Sequence, residues 1–141
     1  MFPFNYQFNR TIRVEKTKKQ VFDEIVNSLN QKNVKDIIIN ENSIVFNEGL
    51  FRARGNFDFL AYIDKGEFIY NEETKNLGYS AKMLTYNLIF IISSPILFYL
   101  FSNINHIAKW MPIIAFCFGN LVYYIQNQNF IDSIAKKINE E

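Results

Sequence analysis

The chain has 141 residues, a formal net charge of +1 and one cysteine. There is room for one small domain beside any membrane segment, no global field that would draw nucleic acid, and no second thiol for an intramolecular disulfide. A mean hydropathy of −0.07 averages two regimes, a charged first part and an almost uncharged later stretch.

Phe2–Val14 alternates with period two. Phe2, Phe4, Tyr6, Phe8, Ile12 and Val14 share one phase, and polar residues fill the other. This pattern predicts a half-buried strand. Arg10 interrupts the apolar row and suits a sheet rim. No basic region precedes the aromatics and no long apolar run follows, so a secretory signal peptide is not expected.

Thr17-Lys18-Lys19-Gln20 fits a capping box. The helix it opens is expected to run to about Gln31, with Val21, Phe22, Ile25, Val26 and Leu29 on one face. Short β segments follow. Lys35–Ile39 and Ser43–Phe46 flank the turn residues Asn40-Glu41-Asn42. Leu50–Ala53 is a candidate third segment, and Gly55 suggests a bulge or break. Asn56–Ile63 alternates again. Asp64-Lys65-Gly66 has the chemistry of a tight turn, with Glu67–Tyr70 as the return strand. A polar turn over Asn71–Asn76 leads to a last strand, Leu77–Lys82. Short connections imply antiparallel pairing.

Residues 83–126 dominate the remainder. Met83–Ser102 contains no charged residue, and Ile107–Ile125 contains only Lys109. A hydrocarbon core of about 30 Å needs about 20 mostly apolar helical residues. The expectation is therefore a transmembrane helical hairpin with spans of about 83–102 and 107–125. Asn129–Asn139 is amphipathic, with Phe130, Ile131, Ile134, Ala135 and Ile138 spaced like the apolar face of the first helix. It is expected to return to the sheet, with the lipid surface as the alternative. The predicted class is an α+β membrane protein. It has an antiparallel sheet with one amphipathic helix (1–82, cytoplasmic), the hairpin (83–126) and a C-terminal helix packed back on the sheet (127–141).

Lys75 and Lys82 before the hairpin, and Lys136 and Lys137 after it, outweigh His106 in the connector and Lys109 just past it. By the positive-inside rule both termini are cytoplasmic and the membrane is the plasma membrane. Tyr86, Tyr123 and Tyr124 would mark the inner interface, Tyr99 and Trp110 the outer one.

Asn87 and Asn120 are the most polar side chains in the apolar spans. A turn centred near Asn105 sets them at similar depth, so they are expected to bond each other. The competing reading is a pore-facing stripe of Asn87 and Ser94, seven residues apart on one face. Pro95 frees a carbonyl near Ile91, which the hydroxyls of Ser93 and Ser94 can help satisfy. On the sheet, Arg52 and Arg54 share a face and could hold an anion or a lipid headgroup; an ordinary wet face with Arg–Asp contacts is the plainer reading.

Nothing points to a reaction. His106 stands alone and Cys117 lies in an apolar run without a base beside it. Asp23-Glu24 and Glu72-Glu73 read as solvated pairs. No phosphate loop or nucleophile motif occurs. No catalytic, cofactor or metal site is expected, and no nucleic-acid partner. The expected partners are membrane lipid, a second copy of the chain, or a larger membrane complex. Three functions remain: an accessory or scaffold protein with a cytoplasmic binding domain, an oligomeric channel or membrane-disrupting effector, and a carrier or enzyme for an amphipathic ligand.

Overall fold

The computed structural model describes residues 3–48, 59–102 and 110–140. The chain forms β1 (Asn5–Thr11), α1 (Lys18–Gln31), β2 (Asp36–Ile39), β3 (Ser43–Asn47), a 3-10 turn (Phe59–Tyr62), β4 (Lys65–Asn71), β5 (Asn76–Lys82), α2 (Leu84–Ser102) and α3 (Met111–Glu140). The five strands make one antiparallel sheet in the order β1-β5-β4-β3-β2. One face carries α1 and the C-terminal half of α3, so the class is α+β.

Local chemistry explains most element boundaries. Thr17 accepts from the Gln20 amide and the Gln20 side chain bonds the Thr17 N–H, closing the capping box. At the other end Asn33 takes φ 56°, while the amides of Asn33 and Val34 bond the carbonyls of Asn30 and Leu29. That is a Schellman termination with asparagine in the left-handed position. In the β4–β5 turn, the Asn71 side chain accepts from the Thr74 amide and Lys75 takes φ 51°.

The core side of the sheet alternates as expected. Tyr6, Phe8, Phe68, Tyr70, Leu77, Tyr79 and Ala81 are buried, and so are Val21, Phe22, Ile25 and Leu29 of α1. From α3, Phe130, Ile131, Ile134, Ala135 and Ile138 close the layer. Phe130 sits edge-on to Phe59, Phe68 and Tyr79, and Phe68 stacks on Tyr79 at 4.5 Å. Gly66 is required by this packing. It pairs with Phe46 across β3–β4, and a Cβ there would lie 2.1 Å from the Phe46 ring.

Two sequence expectations between Phe59 and Tyr70 are corrected. Phe59–Tyr62 is a 3-10 turn and not the end of a strand, and β4 begins at Lys65, inside the stretch expected to turn. Phe59 and Ile63 share the alternating phase, but the 3-10 turn buries Leu60, of the opposite phase, with them. Leu50–Ala53 and Gly55 lie outside the described residues.

The transmembrane hairpin of two helices is also corrected. Among the described residues one helix, over Leu84–Phe101, is long and apolar enough to cross a membrane. The second apolar segment does not end as a separate span. It continues through Gln126-Asn127-Gln128 into the C-terminal amphipathic stretch as the single 30-residue helix α3. No proline or glycine stands between Leu121 and Asn139 to stop it, and adding residues to a formed helix is easy once it is nucleated. Gly119, Asn120 and the three amides also dilute its apolar character. The opening half of α3 runs antiparallel against α2, with Phe90 stacked on Phe116 at 4.5 Å, and Trp110, the residue before α3, sits edge-on to Phe98 at 6.0 Å.

Candidate functional site

The most organised polar region is the junction where α2 and α3 meet the sheet. Strand β5 passes into α2 through Met83, which is fully buried. The Met83 amide bonds the Phe4 carbonyl, so the chain stays attached to β1 until the helix begins. The N-terminus of α2 is capped from outside its own sequence: the Asp64 carboxylate accepts from the Thr85 amide at 2.8 Å. A carboxylate suits both the unpaired amide and the positive helix end. Asp64 thus serves as a cap and not as a turn residue.

Three asparagines fasten the helices. Each turns its amide nitrogen back to the carbonyl four residues earlier: Asn87 to Met83, Asn120 to Phe116 and Asn127 to Tyr123. The amide oxygens of Asn120 and Asn127 then face the sheet. Asn120 accepts from the Tyr6 hydroxyl at 2.7 Å, and Asn127 from the Tyr79 hydroxyl at 2.8 Å. Their seven-residue spacing keeps them on one face of α3. Asn87 reaches the chain start instead, donating to the Pro3 carbonyl at 3.0 Å. All three asparagines are buried. The Asn87 oxygen has no hydrogen-bond partner among the described residues.

Aromatic rings fill the space around these bonds. Tyr62, Tyr86 and Tyr123 form a triangle with centroid separations of 4.6–5.3 Å. Tyr124 packs on Tyr6 and Phe8. Burial, with a smaller contribution from Tyr86, pushes the Tyr6 hydroxyl up to about 12. Complete burial drives Tyr79 up as well. Both phenols are therefore held neutral as hydrogen-bond donors.

The expected residues are found as follows. Asn87 and Asn120 do not bond each other; each has the other partners named above. The register argument set their depth but not their facing, and the sheet offered closer partners. Asn87 and Ser94 do not share a polar surface either. Asn87 is buried against Pro3, and Ser94 donates to the Ile91 carbonyl at 3.0 Å. That is the carbonyl freed by Pro95, and Ser93 bonds Phe90 in the same way. Arg52, Arg54, His106 and Lys109 lie outside the described residues. Cys117 is exposed on α3. Arg10 is at the rim, where it pairs with Asp132 of α3.

Sequence reasoning missed Asn127 and both tyrosine–asparagine bonds. The available signal was the heptad spacing of Asn120 and Asn127, together with two tyrosines in the core phase of their strands. Among the described residues no group of three or more His, Cys, Asp or Glu could hold a metal. Comparison with protein-family models, curated proteins and solved structures gives no match.

Proposed function

We propose that the chain is a small membrane-embedded protein that works by binding. Its α+β domain rests against one face of the bilayer as an accessory or scaffold element. Lipid and either a second copy or a larger membrane complex are its partners.

The observation that carries this reading is α2. Its apolar window, Leu84–Phe101, is only 6% buried inside the protein. The core helix of a soluble protein can match that composition, but it is mostly covered. Here Ile89, Ile92, Ile96, Tyr99 and Leu100 are each at least half exposed. Buried apolar surface is worth about 25 cal/mol per Å², and soluble monomers rarely leave patches beyond a few hundred Å² uncovered. Hydrocarbon is the solvent that suits such a helix.

Binding is favoured over turnover because the junction's polar groups are largely used to fasten α3 to the sheet. The interior between sheet and helices is filled by aromatic rings in contact, which argues against an enclosed amphipathic ligand. A conducting stripe draws no support from Asn87 and Ser94. Lys75, Lys82, Lys136 and Lys137 favour the cytoplasmic face of the plasma membrane for the domain.

The test is membrane extraction. Wild-type protein should stay with the membrane through an alkaline carbonate wash and need detergent for release. Changing Ile92 and Ile96 together to Glu should move it to the wash, since a charged residue at a helix centre costs on the order of 3 kcal/mol. Wild-type protein recovered as a detergent-free monomer would overturn the proposal.

A further inference from the structure

One row of side chains runs across all five strands at the end of the sheet where the chain enters α2. The register pairs Asn5 with Lys82, Lys82 with Lys65, Lys65 with Asn47, and Asn47 with Asp36. Gly66 and Ala81, the next pair inward, are buried on the core side. Lys65 and Lys82 therefore project from the opposite face, uncovered by α1 and α3.

Directly opposed residues in an antiparallel pair have Cβ atoms about 5 Å apart, and like charges there are destabilising. The surroundings relieve this little. Glu67 approaches the Lys65 ammonium at 3.9 Å from the side. Asp64, next to Lys65 in the chain, is engaged with the Thr85 amide, and Asp36, in the same row, stands two strands away from Lys65. Lys82 has no carboxylate partner among the described residues, and it is exposed. Two residues after Lys82 comes Leu84, half exposed, the first residue of the apolar helix.

We propose that Lys65 and Lys82 together clasp the phosphate of an anionic lipid headgroup at the level where α2 enters the bilayer. This rests on the membrane reading above and adds the ligand. The opposed ammonium groups supply two donors to one phosphate, and the phosphate removes their mutual repulsion. Their flexible stems let the charges reach headgroup level from the sheet end. A juxtamembrane lysine strengthens anionic-lipid binding about fivefold.

The experiment uses the full chain in nanodiscs of phosphatidylcholine and phosphatidylglycerol in equal parts, with retained lipid read by native mass spectrometry. Wild-type protein should retain phosphatidylglycerol preferentially. K65Q/K82Q should reduce that preference by about fivefold or more, and each single change should reduce it in part. K65R/K82R should keep it, as should K19Q, a change on α1. Equal preference in wild type and K65Q/K82Q would overturn the inference. So would a preference abolished by inorganic phosphate, which would mean a free-anion site. Insertion into pure phosphatidylcholine vesicles is scored separately. Wild-type protein that inserts there but shows no phosphatidylglycerol preference defeats only this inference. Failure to insert at all defeats the membrane reading itself.

Discussion

A buried amide oxygen needs a donor, and in this protein two tyrosines provide one. Tyr6 serves Asn120 and Tyr79 serves Asn127. Neutral hydrogen bonds each contribute about 1 kcal/mol net, but leaving one partner buried and unsatisfied costs about 1–3 kcal/mol. Tyr6→Phe is therefore expected to lower unfolding stability by about 1–3 kcal/mol, and adding Asn120→Leu should cost less than the sum of the single changes. Additive costs, measured by denaturation in a neutral detergent, would show that the bond contributes nothing. The same tyrosine carries a pH signature. Its hydroxyl rises from 10.0 to about 12 on folding. A group whose folded value is raised stabilises the fold fully below its unfolded value, and that stability is lost as pH rises through the folded one. Stability should fall between pH 10 and about 12, with a shallower fall in Tyr6→Phe.

At the scale of elements, the legible parts of the sequence were those with a local cause. The capping box at Thr17 and the turn at Asn40-Glu41-Asn42 are written in adjacent residues. The period-two row of β1 and the apolar face ending at Ile138 are equally local. The 3-10 turn at Phe59 was not legible, because the apolar residues Phe57, Phe59, Ala61 and Ile63 alternate in the sequence, and only the burial of Leu60 beside Phe59 breaks that pattern. The single α3 was missed for a different reason: an apolar run and an amphipathic run imply two environments, but continuous helical geometry passes between them without a break. Asp64 shows a third limit, since its role as a cap depends on Thr85, which only the sheet brings near. Gly66 belongs with it. Its neighbours suggested a turn, whereas its function is to leave room for the Phe46 ring on the next strand. Gly66→Ala should push a methyl into a fully buried ring, and overpacking of that kind costs about 1–3 kcal/mol. A shortened Phe46→Leu partner should recover part of the loss. An unchanged melting temperature in Gly66→Ala would mean that the ring moves aside freely.

For the whole molecule, the contacts between the first strand and the last helix restrict topology. Arg10 pairs with Asp132, the Arg13 amide bonds the Asn139 side chain at 2.7 Å, and Lys137 reaches Gln31 of α1 at 2.8 Å. Chain start, sheet and C-terminal half of α3 therefore move as one body, and they share a compartment whatever the depth of α2. Charge suggests which compartment: Lys82 and Lys75 precede the apolar helix, and Lys136 and Lys137 lie on the same body. The cytoplasmic face is the expected side. In a Cys117→Ala background, single cysteines at Glu72 and at Lys136, both exposed, should resist an impermeant thiol reagent in intact cells. Both should react once the membrane is permeabilised. Labelling of both in intact cells would reverse the orientation and leave the shared body intact. Labelling of only one would contradict the shared body, because Arg10 and Asp132 cannot remain paired with the membrane between their elements.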